Sequence, residues 1–364
     1  MSDDNTDDTA IRLMAVGDIM LGVSAPHSIV DKDNVPSRLK EGNYSDIFSE
    51  EVTKAFKKAD IVFGNLECVV SEDFNDYDPN SWIERPKLMM APPVAIDFLK
   101  QNNFSILNIA NNHMLDHGKK KAEETIEHIA KNEMLYIGDP SNQDNRVGQI
   151  EINNKKIGFF GYNLYVDEKK KVKNNIIKDI KNEKDNFDIL VVSVHWGSEH
   201  IDRPSNEQMD FARKMVDLGV DIVLGHHSHV FQPVEIYEGK VIAYSLGNFI
   251  FDMWRPQHLH SGILDIEISQ DNEIDVNIIP TKQNDYKVDS NQTDRKNIRV
   301  TNNISRVEDS KEYKNWAKKS TKKYYRELLN RYFSNFHKLP LNYHRYVISK
   351  WVPKMINKVI PNRN

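Results

Sequence analysis

Three histidines fall within four residues, at positions 226, 227 and 229, directly after the apolar residues 220–224. Imidazole nitrogens are common ligands of borderline metal ions and common general acids or bases near neutral pH. If this segment is extended, His227 and His229 point to one side of the chain and His226 points to the other. The cluster indicates a metal site or an acid–base site, and a polar surface loop is the alternative.

Residues with similar chemistry follow four other apolar runs of the sequence. They are Asp18 after residues 11–16, Asn65 and Glu67 after 61–63, Asn112, His113 and Asp116 after 106–110, and His195 and Glu199 after 189–194. One such residue is ordinary turn or capping chemistry, but a divalent cation needs carboxylate, amide and imidazole donors from several loops. Because Cys68 is the single cysteine, a disulfide framework and a thiolate-rich metal site are both excluded.

The apolar runs alternate with helical patterns, which predicts an α/β protein. Apolar residues recur at helical spacing in residues 52–59, 94–99, 120–131 and 206–218. Hairpins are predicted for residues 149–161 and 234–245, and a strand pair for 264–279, so we expect mixed rather than purely parallel sheets. Such folds form their sites at the carboxyl ends of the strands, where the polar residues lie.

Charge divides the chain into an acidic body and a basic tail. The net charge is -5, yet residues 311–364 hold 14 Lys/Arg against 2 Glu, which leaves -17 for residues 1–310. We expect an acidic, disordered leader over residues 1–10, one large domain over 11–285, a polar linker over 286–310 and a basic, aromatic helical tail over 311–364. Nucleic acid is excluded as a partner because an acidic body repels phosphate.

The sequence shows neither a membrane span nor a signal peptide. No window approaches the roughly 18 consecutive apolar residues of a span. The first ten residues hold four aspartates and lack a basic and an apolar region. We therefore expect a cytoplasmic protein. For the tail we expect either that its aromatic residues pack on the acidic body or that it lies on the inner face of an anionic membrane.

Six motifs, in this order along the chain, resemble the bacterial capsule synthesis family of CapA type, a distant relative of the calcineurin-like metallophosphoesterases. They are Gly17-Asp18-Ile19-Met20, Gly64-Asn65-Leu66-Glu67, Ala110-Asn111-Asn112-His113 with Asp116 and Gly118, His195-Trp196-Gly197 with Glu199, Gly225-His226-His227-Ser228-His229-Val230 with Gln232-Pro233, and Tyr244-Ser245-Leu246-Gly247-Asn248-Phe249 with Asp252. The resemblance covers residues 13–281. It implies a four-layer α/β/β/α sandwich of two mixed sheets, with the site in loops at one edge and the helical tail as an appendage.

The resemblance also implies roles for individual residues. The implied metal ligands are Asp18, Glu67, Asn112, His195, His227 and His229. The implied catalytic residues are His113, as the acid facing the substrate, with Asp18 and His227, and the residues assigned to substrate binding are Asn65, Glu199, Asn248 and His226.

Two positions depart from the metallophosphoesterase pattern. Those enzymes have a histidine where this chain has Met20, and a bridging aspartate where it has Asn65. In a two-metal site Glu67 would have to take the bridging role. Because a thioether is a poor ligand for hard cations, we expect one divalent ion (Mn, Zn or Fe) rather than two. A metal-free pocket is the alternative.

Three functions remain open from the sequence. The first is a metal-assisted hydrolase or transferase that acts on a phosphoester or on a γ-glutamyl or other amide bond, in the synthesis of a capsule or poly-γ-glutamate-type surface polymer. The second is a metal-independent enzyme in which Asp18 and a histidine of the cluster act as base and acid on a peptide or acidic polymer. The third is a non-catalytic accessory protein that binds an anionic polymer during assembly.

Overall fold

The structure is a computed structural model that describes residues 10–24, 34–74, 89–140, 147–290, 298–306, 310–339 and 341–353. The predicted leader lies outside these ranges except for Ala10. The strands are β1 (Ile11–Ile19), β2 (Ile61–Leu66), β3 (Val69–Val70), β4 (Met90–Ala91), β5 (Ile106–Asn108), β6 (Leu135–Ile137), β7 (Val147–Ile152), β8 (Lys155–Asn163), β9 (Ile189–His195), β10 (Ile222–His226), β11 (Val234–Tyr237), β12 (Lys240–Ala243), β13 (Asn248–Ile250), β14 (His260–Ile268), β15 (Ile274–Asn284), β16 (Lys287–Ser290) and β17 (Val300–Thr301).

Helices connect many of these strands. They are α1 (Val35–Glu41), α2 (Glu50–Lys57), α3 (Val94–Gln101), α4 (Lys119–Lys131), α5 (Lys169–Glu183), α6 (Asn206–Asp217), α7 (Ser310–Ser334) and α8 (Leu341–Tyr346), which continues as a π-helical turn over Val347–Trp351. Short 3₁₀ helices cover Glu72–Phe74, Lys184–Asn186 and Phe336–Lys338. None of the helices in the described ranges combines the length and the apolarity that a bilayer crossing requires.

The strands form two large mixed sheets. The first has the order β16-β15-β14-β1-β2-β5-β6, with β13 also paired to β1, and the second has the order β17-β11-β12-β10-β9-β8-β7. Strands β1, β2, β5 and β6 run parallel, as do β8, β9, β10 and β12. Strands β14 and β15 pair antiparallel with their neighbours, β7 pairs antiparallel with β8, and β11 pairs antiparallel with β12. Parallel neighbours carry their carboxyl ends to one edge, and this arrangement gathers the polar residues there.

Three apolar cores separate the layers. Between the sheets, Phe63 of β2 stacks on Phe159 of β8 with ring centroids 6.3 Å apart. On the outer face of the first sheet, Phe56 of α2 and Phe98 of α3 are buried, and on that of the second sheet Met215 of α6 is buried. Burying one such side chain contributes about 1.5–3 kcal/mol to folding. The expected four-layer α/β/β/α fold is confirmed by these layers.

The hairpins were predicted from turn chemistry, and the structure confirms them. Strands β7 and β8 pair antiparallel across Asn153 and Asn154, whose φ angles are 49° and 62°. Asparagine tolerates this left-handed region better than most residues, which favours a tight hairpin turn.

Helix α6 begins at a capping box in which Ser205 and Gln208 satisfy each other's backbone N–H groups.

The segment predicted as a linker, residues 286–310, contributes strands to both sheets in its described part. Strand β16 pairs antiparallel with β15, and β17 pairs parallel with β11. Both strands are short and polar, so local periodicity did not indicate them; backbone pairing with existing sheet edges stabilises them instead.

Helix α7 packs against loops of the α/β body. The Tyr324 ring is stacked on His200, with centroids 4.0 Å apart, and lies 5.4 Å from the Trp254 ring. Arg255 forms an ion pair with Glu327 at 2.9 Å. Beyond α7 the chain turns back, and Tyr332 of α7 contacts His344 of α8, so the two helices form a hairpin.

Candidate metal centre

Four polar residues line up across neighbouring strands of the first sheet. Asp18 of β1 is in register with Asn248 of β13 on one side and with Asn65 of β2 on the other, and Asn65 is in register with Asn108 of β5. The Asn65 amide donates to Asp18 Oδ1 at 2.9 Å and accepts from Asn108 Nδ2 at 2.7 Å. This row of hydrogen bonds holds the Asp18 carboxylate in one orientation.

A glycine brings β13 close enough to complete this row. The Asp18 N–H donates to the Gly247 carbonyl at 2.8 Å, and a Cβ at Gly17 would lie only 2.0 Å from the same oxygen. Any side chain at position 17 would therefore push the strands apart. The Gly-Asp pair at the end of β1 reflects this close approach.

A second row lies across the second sheet. Asn163 of β8, His195 of β9 and His226 of β10 are in register. His226 is fully buried, its ring is stacked on Phe63 at 6.0 Å, and its Nδ1 lies 3.5 Å from Asp18 Oδ1. The two rows therefore meet between the sheets.

The loop after β10 delivers the other two histidines. His227 and His229 have φ angles of 90° and 57°, in the left-handed region that residues other than glycine rarely adopt. The loop is therefore not extended. The alternation of side chains along an extended chain, from which the sequence placed His227 and His229 on one side, does not apply here, although both rings still reach the site. Such strain costs about 1–3 kcal/mol per residue and is concentrated at functional sites.

Glu67 is the residue on which these side chains converge. Within the described residues, two groups of three have ligand atoms within 4.8 Å of one another: Glu67 with His195 and His227, and Asp18 with Glu67 and His229. Glu67 Oε1 lies 3.7 Å from His195 Nε2 and 3.9 Å from His229 Nε2. All five residues are buried, and Glu67 belongs to both groups.

The chemistry of these donors fits a divalent metal. Asp18 Oδ2, both Glu67 carboxylate oxygens, His195 Nδ1 and His227 Nε2 are buried and form no hydrogen bond within the described residues. A buried polar atom without a partner costs about 1–3 kcal/mol, and more if it is charged. Carboxylate oxygen and imidazole nitrogen are ligands of Mn, Zn and Fe, so a cation here would satisfy buried atoms of this set.

Burial and mutual charge shift the pKa values of the site. Burial raises the pKa of Asp18, but the imidazoles of His226 and His229 outweigh this and lower it well below 3.8. Burial and the charge of Asp18 raise the pKa of Glu67 well above 4.5. Burial lowers the pKa of His227 to about 4, whereas for His229 the carboxylates of Glu67 and Asp18 overcome burial and raise it to about 10. Two neighbouring carboxylates in a buried pocket stay ionised together only if a positive charge lies beside them.

His113 links the carboxylates to a cavity. Its Nδ1 donates to Asp116 Oδ2 at 2.8 Å, and its Nε2 lies 3.8 Å from Glu67 Oε1. A quarter of its side chain is exposed, in a cavity of about 540 Å³ that Tyr165 and Lys171 also line. The Asp116 contact fixes the ring and leaves Nε2 to face the site.

Comparison with known sequences assigns this chain to a protein family. The sequence matches the bacterial capsule synthesis protein PGA_cap family over residues 12–253, which include the six motifs and the residues of the candidate metal centre. The chain belongs to the PGA_cap family. The resemblance expected from the motifs is confirmed.

Curated relatives agree with this membership. The chain is 31% identical over 259 residues to the PGA biosynthesis protein CapA of Bacillus subtilis, covering 67% of this chain and 64% of that protein. It is 28% identical over 288 residues to the capsule biosynthesis protein CapA of Bacillus anthracis, covering 74% and 67%. The chain thus spans about two thirds of the length of these relatives.

Among solved structures, a hypothetical protein from Thermus thermophilus aligns with 75% of this chain and all of its own, at a TM-score of 0.47 and 14% identity.

Several predicted site residues of this PGA_cap chain are hydrogen-bonded to the candidate ligands. The Asn112 Oδ1 accepts from His195 Nε2 at 2.7 Å, and the Asn248 Oδ1 accepts from His229 Nδ1 at 2.9 Å. Asn65 instead donates from its amide Nδ2 to Asp18 Oδ1. These amides orient the ligand side chains, and in metal sites such outer partners fix the ligand ring and its tautomer.

Two residues assigned to substrate binding differ in their surroundings. His226 lies between the sheets beneath Asp18 and does not line the cavity, because it is the last residue of a strand whose side chains alternate into the core. Glu199 is partly exposed; its charge partly opposes the effect of burial, which lowers the pKa of His227, and contributes to the raised pKa of His229.

The sequence did not indicate Tyr165 or His200 as residues near the PGA_cap site. Tyr165 lies over His227 with ring centroids 4.2 Å apart, and it follows the polar end of β8. His200 Nδ1 lies 3.1 Å from His258 Nε2, and the His200 ring lies 6.3 Å from that of His229. The position of Tyr165 two residues after a strand end was the one available signal; the His200–His258 pair depends on contacts between distant segments.

Proposed function

We propose that this protein is a metal-dependent hydrolase or transferase that acts on a phosphoester or on a γ-glutamyl or other amide bond during the synthesis of a capsule or poly-γ-glutamate-type surface polymer. The place in polymer synthesis rests on membership of the PGA_cap family and on the names of the two Bacillus relatives. The reaction type rests on the site.

One observation carries the proposal: two buried groups of ligands share Glu67. Structural ion pairs seldom leave this many buried oxygen and nitrogen atoms without hydrogen bonds. We assign His195, His227 and Glu67 to one ion, and Asp18, His229 and Glu67 to a second. This assignment replaces the single ion expected from the sequence, because the loss of a histidine at Met20 leaves Asp18, Glu67 and His229 as a complete group of three.

Different residues of the chain have different roles in the proposed reaction. When bound, a divalent ion lowers the pKa of a coordinated water from about 15.7 towards 7 and polarises the scissile group. His113 donates a proton from Nε2 to the leaving atom, since Asp116 holds the other ring nitrogen. Asn112 and Asn248 keep His195 and His229 oriented, and the cavity beside His113 admits the substrate.

The test combines elemental analysis of the purified protein with turnover of bis(p-nitrophenyl) phosphate and γ-glutamyl p-nitroanilide. We expect bound Mn, Zn or Fe, and activity that chelator removes and added ion restores. A protein that stays metal-free after addition of these ions would overturn the proposal. Turnover that ignores both chelator and metal would instead favour the Asp18 and histidine acid–base mechanism.

If the metal-bound protein turns over neither probe, a separate measurement is needed, because a substrate other than these two probes would give the same result. Binding of poly-γ-glutamate, measured by calorimetry with metal-loaded protein, then separates the two remaining functions. Binding without any cleavage of the polymer would overturn the enzymatic proposal and favour an accessory role.

A further inference from the structure

Large apolar side chains are exposed at the turn of the α7–α8 hairpin. Phe333 and Phe336 are 62% and 43% exposed, and Leu341 and Ile348 beyond the turn are 72% and 57% exposed. Of the eight large apolar side chains that are strongly exposed in the described residues, these four fall within 16 positions of one another. Clustered exposure of this kind marks an interaction surface more often than scattered exposure does. We call residues 333–339 and 341–348 the hairpin tip.

The hairpin tip is held in place by its own contacts. The Tyr332 hydroxyl is hydrogen-bonded to His344 Nδ1 at 2.8 Å, and the Phe336 ring is stacked on the same imidazole with centroids 3.8 Å apart. Val347 is fully buried. The exposed side chains therefore project from a folded scaffold.

The exposed side chains of the hairpin tip contrast with the buried aromatic and apolar side chains of α7. Tyr313, Tyr324, Leu328 and Tyr332 are buried against the α/β body or within the hairpin. Packing on the body thus accounts for the buried side of the helix. It does not account for Phe333, Leu341 and Ile348, whose side chains are exposed at the hairpin tip.

The described part of the chain beyond Glu327 carries charge of one sign. Residues 328–353 contain four Lys/Arg and no Asp or Glu. Lys338 and Arg345 in the hairpin tip are exposed, as is His337. A protruding apolar patch flanked by basic residues matches the interface of an anionic bilayer, where apolar side chains enter the acyl boundary and cations contact the headgroups.

We propose that the hairpin tip is a surface that binds an anionic lipid bilayer. A second copy of this chain would bring two hairpin tips of the same positive sign together, which charge repulsion opposes. An acidic polymer would pair with the basic residues but would leave the phenylalanines and the leucine in water. A bilayer satisfies both features, so it is the occupant to which the proposal commits.

The experiment is flotation of the full-length protein with vesicles of phosphatidylcholine alone and of phosphatidylcholine mixed with phosphatidylglycerol. We expect binding to the anionic vesicles and little to the neutral ones, with affinity falling as salt rises. In the double variant Phe333→Ser/Leu341→Ser, binding should fall about tenfold or more. In Lys338→Gln/Arg345→Gln it should fall by about fivefold per basic residue.

Matched controls lie elsewhere on the protein. Leu135→Ser/Val147→Ser removes two exposed apolar side chains of the body, and Lys120→Gln/Lys131→Gln removes two exposed lysines of α4. Both controls should bind anionic vesicles as the unchanged protein does. Equal losses in the controls and in the hairpin-tip variants would overturn the proposal, since binding would then be a general surface property.

Three other results would also overturn it. One is no binding of the unchanged protein to anionic vesicles. Another is a dimer in solution that Phe333→Ser/Leu341→Ser converts to a monomer, which would make a second copy the occupant. The last is a clear fall in melting temperature for that variant, which would mean that the protein's own chain covers the hairpin tip.

Discussion

The Nδ1 atom of His226 lies 3.5 Å from Oδ1 of Asp18, and both side chains are fully buried where the two sheets meet. Asp18 belongs to the row of the first sheet and His226 to the row of the second. This contact couples the sheets at the point where the ligands converge. We therefore propose that His226 positions Asp18 rather than contacting substrate.

Replacing His226 should weaken both the fold and the metal site. We expect His226→Ala to lower the free energy of unfolding by about 2–4 kcal/mol, because a fully buried ring leaves a cavity between the sheets. Bound metal, measured by elemental analysis after equal purification, should fall as Asp18 loses its neighbour. The exposed His337→Ala serves as the control and should change neither quantity. Unchanged metal content in a folded His226→Ala protein would contradict the positioning role.

Glu67 offers the sharpest test of the shared-ligand arrangement. Glu67→Gln keeps the shape of the side chain but removes the charge that both groups use, so metal content should fall for both ions together rather than for one. The rate constant for turnover should fall by about a thousandfold or more. Metal-free Glu67→Gln should be at least as stable as the metal-free parent, because a neutral amide costs less to bury than a carboxylate.

The control for this prediction is Glu127→Gln on α4, where the side chain is exposed. It should bind metal and turn over substrate as the parent does. Loss of a single ion in Glu67→Gln, with the other retained at full occupancy, would show that the two groups are independent.

The sequence predicted much of this site because strand ends can be recognised locally. Asp18, Asn65 and His195 each follow an apolar run, and parallel strands bring their ends to one edge. The register between the strands could not be predicted from the sequence, since the pairing of Asp18 with Asn248 depends on the close approach at Gly17. The conformation of His227 and His229 was misjudged because period-two alternation holds only in extended chain.

The effect of Met20 also required the structure. The sequence indicated a lost ligand and hence one ion, but Met20 is buried in the outer core of the first sheet, and its sulfur accepts from the Gly22 N–H at 3.2 Å. The second group of ligands is completed by His229, which approaches from the other sheet. Such convergence of segments about 200 residues apart has no local signature in sequence.

His113 should behave as a general acid rather than as a ligand. We expect His113→Gln to lower the rate constant for turnover by about a hundredfold to ten-thousandfold while metal content stays unchanged. The loss should shrink for substrates with better leaving groups, since these need less protonation. Asp116→Asn should cause a smaller loss, because Asp116 only orients the ring.

A comparison across aryl phosphate diesters of decreasing leaving-group pKa measures this effect. His128→Gln on α4 is the control. An equal loss across the whole series, or a loss of metal in His113→Gln, would rule out the acid role.

The His200–His258 pair should make the metal-free protein sensitive to acid. Burial, together with the charge of neighbouring groups, lowers the pKa of both imidazoles well below 6.5. Groups that face the pair are Arg255, His229, Glu199 and Tyr324 of α7. In the folded protein the pair stays neutral, whereas in the unfolded chain each histidine takes up a proton below about pH 6.5.

The unfolded state therefore binds more protons than the folded state below about pH 6.5, and the free energy of unfolding falls as pH falls through that range. Each histidine contributes a slope of about 1.4 kcal/mol per pH unit. We expect His258→Gln, whose amide can still pair with His200, to reduce the slope by that amount in urea unfolding of chelator-treated protein between about pH 6.5 and 5. His337→Gln, on the exposed hairpin tip, should leave the slope unchanged. If His258→Gln keeps the slope of the parent, His258 is protonated in the folded protein, and the neutral pair does not account for acid sensitivity.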